Sequence, residues 1–236
     1  VTPELPVFPP LFHGHPVNGA ADPFAKACAQ ALLGCDSGLV AYNIGADTLR
    51  AAIVLAPEVP LEPAMSAFIA CGVGFQNALG ALAPPEVAVH LTWEGGIRVN
   101  GAGCGRLRAA ASTADPTALP DWLVIGLETP LLPTGDPSHE TTSLFDEGCA
   151  EVEPLRLLEA WIRHTLVWLN TLEEDGNRPL HAQWQGIADG IGEDMTHGAL
   201  SGTFLGTDED FGMLLRASDG THVIPISSIL EGKNRT

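Results

Sequence analysis

Cations are scarce in this chain. Lysine occurs only at Lys26 and Lys233, and lysine plus arginine number 11 against 29 aspartates and glutamates, a formal charge of −18. That balance argues against a nucleic-acid binder, which needs a basic surface to release counterions. It argues equally against docking on anionic membrane. Cysteine is sparse too: Cys28, Cys35, Cys71, Cys104 and Cys149 are odd in number and show no CxxC spacing. The pattern reads as a reduced protein with buried thiols, expected in the cytoplasm. No unbroken apolar run reaches the roughly 18 residues that span a bilayer. The opening VTPELPVFPPLFHGHPVNG is too proline-rich and polar for a signal peptide. Neither a phosphate-binding loop nor a GxSxG nucleophile elbow is present.

What is there is globular. Hydrophobic residues make up 45% and charged residues 17% of 236 positions. That length allows one large domain, or one plus a small module. Residues 1–20 read as an extended arm, kept from helix by Pro3, Pro6, Pro9, Pro10 and Pro16. Asp22 is placed to N-cap a helix with Pro23 at its first position, running to about Leu33. Leu39–Tyr42 and Leu49–Ala56 read as strands, and Leu61–Leu79 as a long helix rich in Ala and Gly for close packing. Val87–Trp93, Ile97–Val99 and Cys104–Ser112 continue the strands, and Trp122–Leu132 fits a buried central strand. PTGDPSHETTS reads as a loop. Pro154–Leu172 carries one apolar stripe at helical spacing, and Pro179–Ala188 forms a shorter helix. From about Gly190, short strands SGTFLG, GMLLRAS and HVIPIS alternate with turns, as in a small β-barrel packed on the main domain.

Among the few cations, Arg106 and Arg108 stand two apart on one strand and so share a face. A basic pair on one face of an acidic protein suits a carboxylate or phosphate, or alternatively answers neighbouring acids. His13 and His15 lack partners at metal-ligand spacing, so no metal site is assigned. Cys104 with His90 is a cross-strand thiol/base candidate, against the commoner reading of a buried thiol.

From Val87 onward the chain resembles the biotin/lipoate protein ligase family, in particular the biotin protein ligases. VAVHLTWEGGIRVNGAGCGRLRAAAS is similar to their Lys-Trp-Pro-Asn-Asp strand, hairpin and Lys-Leu-Ala-Gly-Ile-Leu segment, with Trp93 at the Trp and Gly105 at the Gly. DWLVIGLETPLL resembles their Val-Ile-Gly core strand. GTDEDFGMLL resembles a hairpin of their SH3-like C-terminal module. Asp22 matches the Asp of their Asp-Ser-Thr-Asn. The resemblance implies an α+β fold of the class II synthetase/biotin ligase type, with a mixed sheet and helices on one side. It implies a ligase-like domain over 1–189 and an SH3-like module over 190–236. It also implies biotin or lipoate as ligand, ATP and Mg²⁺ as cofactors, and a biotin or acyl carrier protein as acceptor. The ligand cleft is expected at the 93–108 hairpin, with Asp22, Trp93, Gly103, Gly105, Arg106 and Arg108 as binding residues.

The departures are specific. The ligases' Gly-Arg-Gly-Arg loop is missing between GLVAYNIGADTL and AAIVLAPE. The first motif's lysine position is Thr92, and the second motif's is Ala102. Condensing a carboxylate with ATP needs cations to neutralise charge developing on phosphate. Arg106 and Arg108, with Arg50, are the cations left for that role, so they are the catalytic candidates. Two readings follow: a divergent ATP-dependent ligase acting on a small carboxylic acid, or an inactive ligase-fold protein that binds a small acid or a protein partner. A third, acyl transfer through Cys104, also lacks its lysine. Biotin carrier domains are typically acidic, so a chain at −18 is poorly steered toward them.

Overall fold

A computed structural model describes residues 5–133 and 140–231. Most of the PTGDPSHETTS loop, the start of the arm and Lys233 lie outside them. The first strand, β1 (His13–Pro16), comes from the proline arm and pairs in parallel with β2 (Leu39–Ile44). Proline is tolerated there because the strand is at a sheet edge. Then β3 (Thr48–Leu55), β4 (Val89–Leu91), β5 (Gly96–Val99), β6 (Ala102–Ala111) and β7 (Leu123–Pro130) complete a seven-stranded mixed sheet in the order β1-β2-β3-β7-β6-β5-β4. β7 is the middle strand, which explains its unbroken apolar run Leu123–Leu127, buried on both faces.

The expectation of helices on one side fails. Two helical layers sandwich the sheet. Helix α1 (Pro23–Leu32) lies on one face and sets Phe24, Ala27 and Ala31 against Ala41, Ala52, Val54 and Val124. Helices α2 (Leu61–Ala64), α3 (Ser66–Leu82) and α4 (Pro154–Asp175) cover the other, where Val40, Ile53, Ile125 and Leu107 join the main core. The short side chains of β2, β3 and β7 on the first face let so small a helix seat closely.

The small residues of α3 serve both of its neighbours. A Cβ on Gly72 would meet Leu91 and Leu107 of the sheet, and one on Gly74 would meet Thr165 of α4. Trp161 of α4 is fully buried and donates from Nε1 to the Cys71 carbonyl at 3.0 Å. Taken together, Leu61–Leu82 is long and apolar enough to cross a membrane by length and composition, yet 72% of its apolar 18-residue stretch is buried inside the protein. Its apolarity is that of a helix with a sheet before it and a helix behind it. The helix also runs past Gly80, where the sequence suggested an end.

After α5 (Asn177–Gln185), strands β8 (Asp194–His197), β9 (Leu200–Thr207), β10 (Met213–Ala217) and β11 (Gly220–Ile224) form a separate antiparallel sheet of the SH3-like kind. A 3-10 helix (Ile226–Ile229) follows. β8 escaped the sequence reading because DMTH is polar and exposed at alternate positions. Phe204, Phe211, Met213 and Leu215 of this sheet are buried in the main core. The module therefore shares its core with the larger sheet.

Candidate functional site

The 93–108 hairpin is built by glycine. Asn100 and Gly101 both have positive φ (50° and 90°), as a tight two-residue turn requires. Gly105 has φ 121°, and a Cβ there would collide with the Glu128 carbonyl oxygen. It sits in a β-bulge: Gly96 pairs Arg106 while Arg98 pairs Gly103, one residue more on β6 than on β5. The bulge switches faces. Ala102, paired with the buried Val99, lies on the face of the main core with Cys104. Gly103 shares the opposite face with Arg98. Beyond the bulge, Leu107 and Ala109 point to the core and Arg106 and Arg108 to the α1 face. The two arginines do share a face, but the lysine position of the motif, Ala102, is on the other one.

Register sets the row that Arg106 belongs to. Asn43, Arg50, Glu128 and Arg106 face one another across β2, β3, β7 and β6. The next row is Ala41, Ala52, Gly126 and Arg108. α1 begins over this second row, where Phe24 fits against the bare Cα of Gly126. So beneath α1 the sheet face is apolar on β2, β3 and β7, with Arg108 of β6 at its side, and it turns polar across all four strands one row beyond the helix N-terminus.

Arg106 and Arg108 each have a carboxylate partner. Arg108, 20% exposed, donates to Glu231 through Nε (2.7 Å) and a terminal nitrogen (2.9 Å), and to Asp22 Oδ2 at 2.8 Å. Its guanidinium stacks over the Phe24 ring, 4.2 Å from the centroid. The Glu231 hydrogen bonds raise the Arg108 pKa; burial opposes and Asp22 adds to the rise. Burial pushes Asp22 up, but hydrogen bonds from Arg108 and the Phe24 N–H prevail and hold it below its ordinary value. Asp22 also N-caps α1 by accepting that N–H at 3.0 Å. Arg106 is more exposed (59%) and pairs with Glu128 at 3.4 Å. Arg50 donates to Asn43 Oδ1 at 3.4 Å, and its Nε is buried with no hydrogen-bond partner among the described residues.

A pocket of about 340 Å³ opens where β6 extends beyond β5. Arg106 and Arg108 line it with Thr92, Glu94, Phe68 and Leu107, and Ile229 and Glu231 close it from the C-terminal side. Glu231 also donates its N–H to the Ala109 carbonyl at 2.8 Å, capping the free β6 edge. Trp93 does not line this pocket. It is 1% exposed, donates from Nε1 to the Phe211 carbonyl at 2.8 Å, and borders a second pocket of about 220 Å³ with Arg98 and Asp189. Gly103 is bridged to the 140–142 segment by the Gly103 N–H to Glu140 and the Thr142 N–H to Gly103. Thus the structure brings Asp22, Arg106 and Arg108 to one face, with Gly105 as the bulge behind them, and sets Trp93 and Gly103 apart.

Sequence reasoning missed Glu128 and Glu231, because single acids among 29 carry no signal. The Cys104–His90 pairing is overturned by the sheet. His90 registers with Arg98, on the face opposite Cys104. Burial also pushes the Cys104 thiol up to about 12, away from the reactive thiolate.

Residues 8–186 match the model of the Biotin/lipoate A/B protein ligase family, and residues 191–232 match a Domain of unknown function (DUF4444). No curated protein matches the chain in sequence. Among solved structures, a biotin protein ligase-like protein of unknown function from Silicibacter sp. TM1040 is 57% identical, with a TM-score of 0.92 over 96% of this chain and 99% of that one. The Aquifex aeolicus biotin protein ligase in complex with biotin and ATP gives a TM-score of 0.69 at 14% identity, over 90% and 95%. The Leishmania major enzyme in complex with biotinyl-5-AMP gives 0.58 at 16%, over 92% and 98%. At such identities the last two share the fold.

Proposed function

This chain belongs to the biotin/lipoate A/B protein ligase family, and on that premise we propose that it binds a small carboxylic acid of the biotin or lipoate type in the pocket beside Arg106 and Arg108. The observation that carries the reading is the two-point grip of Arg108 on the Glu231 carboxylate. A guanidinium in this setting is preorganised for the planar, two-oxygen geometry of a carboxylate. Glu231 stands where the carboxylate of a ligand would compete. The pocket volume falls at the lower end of small-molecule sites, and Phe68 and Leu107 offer apolar wall to an acyl chain.

ATP fits the residues poorly. The turn between β2 and β3 closes on itself through the Gly45 N–H to the Thr48 carbonyl, with no loop of free amides. Among the described residues no group of three His, Cys, Asp or Glu side chains could hold a metal ion by itself, although Mg²⁺ carried on a nucleotide's phosphates needs no such group. The second reading, a divergent ligase that activates the acid and transfers it to an acceptor lysine on a carrier protein, is favoured by Arg50. It puts a third guanidinium, with an unpartnered Nε, on the face of Arg106 and Arg108.

Isothermal titration with biotin, lipoate and octanoate, with and without ATP, tests both. Binding of one acid independent of ATP is expected, tightened in Glu231→Gln because the internal competitor loses its charge. No binding of any acid at millimolar concentration overturns the proposal. ATP-dependent labelling of a carrier domain decides for the ligase.

A further inference from the structure

Three side chains far apart in sequence meet where the C-terminal module joins the main domain. His197 Nδ1 lies 2.8 Å from Glu94 Oε1, and His197 Nε2 lies 3.0 Å from Ser228 Oγ. An ionised carboxylate only accepts, so the imidazole proton belongs on Nδ1, leaving the Nε2 lone pair to receive the Ser228 hydroxyl proton. We infer that Ser228, His197 and Glu94 form a nucleophilic triad that transfers the acyl group of small-acid esters. The triad residues are separate from the carboxylate grip, whereas the substrate class rests on the proposed acid pocket, whose Phe68, Leu107 and Arg106 it shares.

The base and the nucleophile each have an anchor of their own. Glu94 belongs to the turn between β4 and β5 and lines the larger pocket. His197 ends β8, is 19% exposed, and packs edge-on to Trp93 with ring centroids 5.3 Å apart. Trp93 is itself pinned to Phe211. Ser228 rides on the 3-10 helix, whose Ile226 and Ser227 N–H groups donate to Glu62 at 2.7 and 3.2 Å. Such separate anchoring holds a nucleophile and its base at reacting distance. Triads are recognised by this geometry and these roles, in any chain order.

The neighbouring pocket defines the substrate class. Glu94 lines it beside the apolar Phe68 and Leu107; Ser228 and His197 are not among its lining residues, and the nucleophile borders it only through its neighbour Ile229. A short acyl chain fits that wall. Ser228 Oγ attacks the ester carbonyl carbon as its proton passes to His197 Nε2. The bond to the leaving alcohol breaks as that oxygen takes the proton back, leaving an acyl ester on Ser228. Water then attacks by the same route, freeing the acid and restoring the hydroxyl. The Ser228 N–H is engaged with the Pro225 carbonyl at 3.0 Å. Arg106, on the pocket wall, is the cation available to a developing oxyanion.

The test treats the full chain with a fluorophosphonate probe and maps the adduct by mass spectrometry, beside hydrolysis of p-nitrophenyl butyrate. A single adduct on Ser228 is expected, lost in Ser228→Ala. Labelling should slow at least ~100-fold in His197→Asn, as removal of a general base predicts, with thermal melting reporting that the variant is folded. An unlabelled Ser228 in the wild-type protein overturns the inference without recourse to any variant. So does labelling of folded His197→Asn at the wild-type rate, which would leave the cluster as a structural tie.

Discussion

The two faces of the seven-stranded sheet solve the same burial problem differently. One is roofed by α3, backed by α4, and is largely apolar, with Trp161, Phe68 and Phe75 fully buried. The other is roofed by the ten residues of α1 and becomes polar at the row of Arg50, Glu128 and Arg106, beyond the helix N-terminus. A guanidinium is costly to bury unless paired, so cations appear where helix cover ends. The candidate site is thus a consequence of a short helix as much as of particular residues.

Substitutions on the two faces should separate stability from binding. The largest effect belongs to the roofed face. Trp161→Ala should cost about 3–5 kcal/mol in urea denaturation, from a cavity and the loss of its hydrogen bond to the Cys71 carbonyl. Between the faces, Gly105→Ala should cost about 1–3 kcal/mol on the same measure, because φ 121° and the Glu128 carbonyl leave no room for a methyl. If it costs less than a few tenths, the bulge does not hold Arg106 and Arg108 on their face.

On the α1 face the effect becomes pH-dependent. The folded-state pKa of Asp22 is depressed, so its contribution is fully present above the ordinary carboxylate value of roughly 3.9. It is lost as pH falls through the lower folded value. Melting temperatures measured from pH 6 to 2 should fall in this window, and Asp22→Asn should remove that part of the slope while lowering stability at pH 6. The smallest stability change is expected for Arg106→Gln, within about 0.5 kcal/mol, because its ion pair is exposed. Its titration with the bound acid should nevertheless weaken. Equal losses of binding and stability would mean that the polar row is merely structural.

Much of the fold was legible because it rests on local patterns. The apolar stripe of α4, the unbroken run of β7, the Asp22–Pro23 helix start and the glycine hairpin all state their geometry within a few residues. The pair Arg106 and Arg108 was legible for the same reason. Their orientation relative to Ala102 was not, since a single bulge at Gly105 reverses strand alternation and the sequence marks it only as one more glycine. The second helical face was hidden because α1, short and small-chained, looks the same whichever side it packs on. β8 was hidden because a polar strand has no apolar alternation to read.

By itself, the sequence determined the order of elements, the family resemblance and the scarcity of cations, because each follows from composition or from spacings of a few residues. It therefore already ruled out the family's lysine at Ala102. Only the tertiary structure decided what the remaining cations do. Arg108 meets Asp22 from 86 residues away and Glu231 from 123, and His197 meets Glu94 from 103 and Ser228 from 31. Contacts at such separations are set by how sheets and helices pack, and no local pattern encodes them.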